Sequence, residues 1–487
     1  MKKNRSLLFI ALLLCTGIVK AQNLKWNPVV KVADRIHQTY LGYDGIYQYS
    51  MGSNIKMTHD LKDSLYPDPN WKKLKLTLLR YDEKFTLKDT LPIRFFSTPK
   101  RFFEGNKVDA NIRLFYTKGL SSTLTFSVDL FDIKGMFLET KNLCAVQDLA
   151  KFQLLNYYQL IFSPSKKVFT VVSVDSVCCF NAAFEPVWKM ALKSNKFMSG
   201  YTTDDNRFYG VMMVNKVATA VYIDDKGVLV SQPLKTDKPE NSSYFVKMNN
   251  DKLYVASLYG ATDNTYNPDY DKAGKRPRFK SNGLQVTIFD NKLENQKTVY
   301  VPYAEQTLLD AVERLLIQNI KGIDWVSISQ VDFTEDGDLI ALLSKEYTEP
   351  RAAKPVQGSK VELEGRMNHC QQIIVIKTND EGKNYQSVIK RNTEGEEAFE
   401  YVMNIKGIPN KTDYYIYYQD GRSETDYTFQ EVVLNNTLRT IYTKDVNLID
   451  SKKPFLDLST ITRMDKNNFI VFGRITKKIA SGLLEFK

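Results

Sequence analysis

Between Thr262 and Asp271 the sequence TDNTYNPDYD sets oxygen-bearing side chains at alternate positions, Asp263, Thr265, Asn267, Asp269 and Asp271. Loops that hand successive ligands to calcium use this spacing, but they also carry a glycine at the sixth position and a glutamate at the twelfth. Neither stands here, so the stretch reads first as a solvated polar loop. No cofactor is expected, and calcium is the single ion the pattern admits. Lys275, Arg276 and Arg278 follow at once and could meet an anion. A second polar stretch, from Glu346 to Asn368, carries Arg351, Lys354, Lys360, Glu362, Glu364 and Arg366, with His369 just beyond it. The candidate binding residues are therefore Asp263, Asp269, Asp271, Lys275, Arg276, Arg278, Arg351, Lys354, Lys360 and Arg366. Together they make a surface suited to a charged partner.

Catalytic constellations are harder to find. His37, His59 and His369 are the three histidines, too few for a multi-histidine metal centre, and H-E-x-x-H, paired C-x-x-C and C-x-x-C-H are all missing. So are G-x-S-x-G, a P-loop and G-x-G-x-x-G. A carboxylate pair is set by distance in space and leaves no sequence signature. The segment Thr378-Asn379-Asp380-Glu381-Gly382-Lys383-Asn384-Tyr385 resembles the Asp-box turn of sialidases and other propeller proteins. The resemblance covers eight residues and implies a structural role, Asp380 accepting backbone N–H bonds across a turn while Tyr385 packs inward. The F/Y-R-I-P segment of sialidases is absent. A binding or scaffolding module therefore ranks ahead of an enzyme, and a glycoside hydrolase or lyase using carboxylates near a central channel is the alternative.

These residues are carried by a repeat. Short strands rich in Val, Ile, Tyr, Phe and Thr recur, many ending in a turn built on an apolar residue followed by Asp: YDEKF at Tyr81, FDIKG at Phe131, IDDKG at Ile223 and FDNKL at Phe289. Aspartate bonds the backbone two residues on, and glycine accepts positive φ. Second strands of the repeat are expected to start near Ile46, Ile112, Val168, Phe208, Leu253, Leu339, Tyr414 and Phe469. Without its insertions the unit is the size of a four-stranded propeller blade. The expectation is an all-β fold, a β-propeller of eight four-stranded blades, with seven as the alternative. VFTVVSV (Val168–Val174) and QQIIVIK (Gln371–Lys377) are apolar at consecutive positions, which implies burial on both faces by blade stacking. An outer-membrane β-barrel, the third class considered, would alternate lipid-facing and lumen-facing residues.

The eighth unit supplies three strands, and Pro28–Arg35 is expected to add the fourth and close the ring. Glu305–Gly322 has helical apolar spacing and should be an amphipathic helix packed on the rim. The two polar stretches lie between second and third strands of neighbouring blades and should emerge on one face. Tyr414–Gly421 could stack on sugars if exposed, although tyrosine is also a favoured strand residue. The sequence has no G-H to W-D spacing of a WD40 repeat and no kelch Gly-Gly pair.

Lys2, Lys3 and Arg5, an apolar run from Ser6 to Val19, and Val19-Lys20-Ala21 read as a secretory signal cut after Ala21. One domain, 22–487, follows, exported to the periplasm, outer-membrane surface or medium. Cleavage removes four of the cations behind the formal net charge of +11, and the rest are dispersed, which disfavours nucleic acid. The expected partner is a protein, a glycan or an envelope component, and no apolar run is long enough for a transmembrane helix. Cys178 and Cys179 should diverge to opposite faces of a strand as buried thiols. Mass spectrometry of the exported protein should find Gln22 at its N-terminus; an intact Met1 or a lipid-modified Cys15 would refute the signal reading.

Overall fold

The computed structural model describes Asn23 to Glu485 except 27–30, 33–36, 55–73, 85, 98–100, 120–122, 148–158, 174–175, 192–195, 237, 239, 264–277, 313–321, 351–353, 356–361, 364–365, 397–404, 422–427, 446–454, 465–467 and 476–477. The strands form eight four-stranded antiparallel blades arranged as a β-propeller. Blades one to seven span 37–93, 101–147, 159–191, 196–233, 240–302, 326–396 and 405–445. Blade eight combines Phe455–Arg463, Asn468–Ile475 and Lys478–Glu485 with Asn23–Trp26. Eight separate sheets replace the single continuous sheet that a barrel would require. The second strands begin at Gln48, Asn111, Phe169, Phe208, Lys252, Leu339, Asp413 and Asn468, each within two residues of its expected start.

Seven blades have a covalent third-to-fourth turn, and in each a side-chain oxygen closes it. Asp82, Asp132, Asn181, Asp224, Asp290, Asn379 and Asn435 each accept N–H bonds from residues two and four further on, at 2.7–3.1 Å. In the six turns where it is described, the residue three positions on is left-handed, whether it is glycine (Gly135, Gly227, Gly382) or not (Phe184, Leu293, Leu438). Asparagine supplies the same acceptor as aspartate. The Asp-box reading is corrected here: Asn379 closes that turn. Asp380 instead accepts from Tyr254 Oη at 3.0 Å and Lys252 Nζ at 2.6 Å, tying blade six to blade five.

Alternation within each strand sends one set of side chains to the preceding blade and the other to the next. Ile112 and Leu114 pack against Leu41, Tyr49 and Leu78 of blade one, whereas Phe115 packs against Phe169 and Phe180 of blade three. Ile374 and Ile376 join blade five's core, and Ile373 and Val375 join blade seven's. This burial on both faces is what consecutive apolar residues required, and each such side chain contributes about 1.5–3 kcal/mol. Cys178 and Cys179 likewise fall in cores on opposite sides of blade three, and both are unbridged thiols.

The seam between blades eight and one differs. Among the described residues its apolar core is small, Ile470 and Phe472 against Tyr40, Met464 and Leu483, and buried Gln38, Gln48 and Ser50 lie beside it. Closure is made by Asn23–Trp26, which pairs antiparallel with Gly482–Glu485. Of the expected closing segment, Pro28–Arg35, Lys31 and Val32 are described, neither in a strand, and buried Val32 packs on Leu79 and Tyr81 of blade one; 28–30 and 33–35 lie outside the described residues. A chain starting at Asn27 should be less stable than one starting at Asn23, by about 2–4 kcal/mol for four residues of ladder. Coincident thermal melts would contradict this closure.

Candidate functional site

Blades five and six depart from the common plan on one face. Their second and third strands, Lys252–Asp263 with Arg278–Asp290 and Leu339–Pro350 with Arg366–Thr378, run 12 to 13 residues, against seven in the same strands of blade four. Second-to-third connections of an up-and-down blade share a face, so both extended hairpins project on the same side, as expected. Each bends at a bulge, at Tyr259/Gly260 in blade five and at Lys345/Glu346 and Cys370/Gln372 in blade six. Gly260 is obligatory there, since a Cβ would lie 1.8 Å from the Lys280 carbonyl oxygen.

The connection between the two blades laces the hairpins together. It begins with a helix, Glu305–Val312, which buries Thr307 and Ala311 and packs Leu308 on the blade five–six core. This lies within the expected Glu305–Gly322; residues 313–321 are outside the described set. Ile323–Asp324 then pairs with Lys280–Ser281 of blade five, and Trp325 O accepts from Glu346 N of blade six at 2.9 Å. Lys345 Nζ donates to Ala311 O at 3.0 Å. On the far side Asn384–Glu396 is held by blade seven: Arg391, buried, donates to Gln419 O at 3.0 Å and to Cys370 Sγ, and Asn392 N donates to Asp420 Oδ1 at 2.8 Å. Burial pushes the Cys370 thiol up to about 11, so it stays protonated at neutral pH.

The surface so held is aromatic and polar. Trp325, left-handed at φ 63°, is 42% exposed. Tyr347, His369 and Glu394 stand abreast on three neighbouring strands, the Tyr347 and His369 rings stacked at 4.7 Å and His369 Nδ1 3.6 Å from Glu394 Oε1. Beside the blade five hairpin, Lys238 sits over the rings of Tyr259 and Tyr300 at 4.6 and 4.4 Å, a cation–π arrangement.

Four of the ten candidate binding residues have a described backbone position. Asp263 and Arg278 face each other across the blade five ladder, Lys354 pairs with Leu363 in a two-residue ribbon, and Arg366 pairs with Pro350. Asp269, Asp271, Lys275, Arg276, Arg351 and Lys360 lie outside the described residues, as does most of the calcium-like pattern. Trp325, Tyr347, Glu394 and Lys238 were not among the candidates, because their proximity depends on which strands and blades adjoin. The tyrosines of Tyr414–Gly421 are corrected: all four are buried, which removes them as a sugar-stacking surface. Acids on the inner strands are engaged where described, Glu104 with Lys166 at 3.1 Å and Asp332 with Lys247 at 3.7 Å.

No family model matches the chain, and no curated protein matches it. Among solved structures it is similar to a polysaccharide lyase, a PL25 ulvan lyase (TM-score 0.42, 9% identity, 96% of each chain). It is also similar to Sqt1 of Saccharomyces cerevisiae (0.43, 9% identity, 95% of this chain and 99% of that one) and the Pan2 WD40 domain of Neurospora crassa (0.35, 12%, 78% and 87%). Likeness at this distance assigns no activity.

Gly260→Ala should cost at least about 2 kcal/mol, because a backbone oxygen blocks the new methyl group. Hydrogen exchange should accelerate over residues 252–263 and 278–290; unchanged exchange would mean the hairpin base is not held as described.

Proposed function

We propose that this protein is an exported bacterial envelope propeller that binds or scaffolds a partner, a protein, glycan or envelope component, through the face carrying the extended hairpins of blades five and six. The observation that carries this reading is the lacing of those hairpins by Ile323–Trp325 and by Arg391. Blade four completes its sheet with seven-residue second and third strands, so the extra length in blades five and six adds ordering cost beyond what a blade needs. A fixed base under polar tips, with exposed Trp325 between them, suits recognition. The basic residues Lys275, Arg276, Arg278, Arg351, Lys354, Lys360 and Arg366 belong to the same two hairpins and favour an anionic partner. Export rests on the signal-like residues 1–21.

Replacing 264–277 and 351–365 by four-residue turns should leave the melting temperature close to that of the intact chain and abolish capture of envelope proteins or glycans. Equal capture by the folded variant would reject this face.

A further inference from the structure

The outer rim where blade two meets blade one carries apolar side chains that the fold leaves in the open. Phe96, in the connection from Leu87–Ile93 to Arg101–Val108, is 69% exposed, and Met136, in the turn before Phe137–Gln147, is 65% exposed. Phe137 and Leu138, next in the chain, are exposed as well. The Phe96 and Phe137 rings stack nearly parallel with centroids 4.8 Å apart, which joins the two segments into one patch. Leu138 is left out of the ladder, since Leu130 pairs with Glu139 and Phe131 with Phe137, and the edge bulges there.

The patch has a fixed backing. Phe96 N donates to Asp129 Oδ2 at 2.8 Å, and Asp129 is fully buried, its other oxygen accepting from Tyr116 Oη at 2.8 Å and Thr140 Oγ1 at 2.7 Å. Phe95 turns inward onto Phe102 and Tyr116, at 6.1 and 5.2 Å, which leaves Phe96 pointing out. Phe137 meets buried Phe131 edge-on at 5.8 Å. The turn carrying Met136 rests on blade one, where a Cβ on Gly135 would lie 3.1 Å from Ile93 Cγ2. Holding these side chains in water gains no apolar burial, whereas covering them would.

Charge decides what covers it. Arg94, two residues before Phe96, and Lys134, two before Met136, are exposed, and among the described residues neither forms an ion pair. A second copy docked about a two-fold axis would bring these cations against their own mates, and the bulge at Leu138 interrupts the edge to which its strand would add. Phe96 and Met136 project from the rim instead of lining a groove, a shape that suits entry into a fluid apolar layer. We propose that this patch docks on an anionic lipid surface, with Phe96, Met136, Phe137 and Leu138 entering the boundary between headgroups and acyl chains and Arg94 and Lys134 meeting phosphate groups. The third-to-fourth turn lies on the face opposite the second-to-third hairpins, so docking there does not cover the hairpins of blades five and six, and the inference stands apart from their proposed role.

Co-sedimentation with large unilamellar vesicles tests this, using the chain from Gln22, which keeps the closing strand and omits the apolar run Ser6–Val19 that would itself enter a bilayer. Vesicles of phosphatidylcholine with about 30% phosphatidylglycerol should bind the protein at low salt and release most of it at high salt, and phosphatidylcholine alone should bind it at least about tenfold more weakly. Phe96→Ser combined with Met136→Ser should melt with the parent chain and partition at least about tenfold less onto the mixed vesicles, and so should Arg94→Gln combined with Lys134→Gln. Val217→Ser, at the exposed second-to-third turn of blade four, should bind as the parent does. Phe96→Trp should gain fluorescence that lipids brominated on the acyl chain quench. No binding to the mixed vesicles, or equal binding by the folded Phe96→Ser, Met136→Ser variant, would overturn the proposal. A concentration-dependent dimer that this variant abolishes would assign the patch to a second copy and overturn it as well.

Discussion

A propeller is a ring assembled from a linear chain, and its last seam must be closed by residues that are far apart in sequence. Here that constraint is met by the four-residue ladder between Asn23–Trp26 and Gly482–Glu485. Seven seams join consecutive blades through broad cores of Leu, Ile, Val and aromatic side chains. Among the described residues the eighth has few apolar side chains, with Gln38, Gln48 and Ser50 buried nearby, so stacking alone holds it less firmly. Backbone hydrogen bonds make up the difference and cover what would be an exposed edge. Within blade one the buried amides beside the seam are paired, Tyr40 donating to Gln48 and Tyr81 to Gln38 at 2.6 and 3.0 Å.

The proposed binding face depends on that ring. The hairpins of blades five and six can lengthen because the seam below them is already filled by Leu258, Leu284, Ile328 and Leu343. Their bases are then fixed by backbone pairs rather than by further apolar burial, which leaves the tips polar.

Much of the architecture was legible because a blade is a local object. Hairpin turns and alternating burial lie within a few tens of residues, and every second strand could be located from them. The turn signal was read too narrowly: Asn181, Asn379 and Asn435 perform the same task as the aspartates, since a side-chain amide oxygen presents the same acceptor. The described closing strand is Asn23–Trp26, just before the expected Pro28–Arg35, of which all but Lys31 and Val32 lies outside the described residues. What recruits Asn23–Trp26 is the free edge of Lys478–Glu485, a non-local feature that its own residue types do not signal. The site was legible as two polar insertions on one face. Trp325, Tyr347 and Glu394 were not, because their neighbours lie on other strands or other blades. Asp380 failed for the same reason, having an inter-blade partner where a turn role was expected.

Cross-linking the closing ladder tests the ring most directly. Asn23 and Glu485 are register partners, so Asn23→Cys with Glu485→Cys places two thiols on adjacent strands, within the usual reach of a disulfide. Mild oxidation should link them almost completely, and the linked protein should melt above its reduced form because nearly the whole chain is then closed into one loop. If peptide mapping finds the two introduced thiols unlinked in the folded protein, or joined to other cysteines instead of to each other, the eighth blade is not closed by this strand.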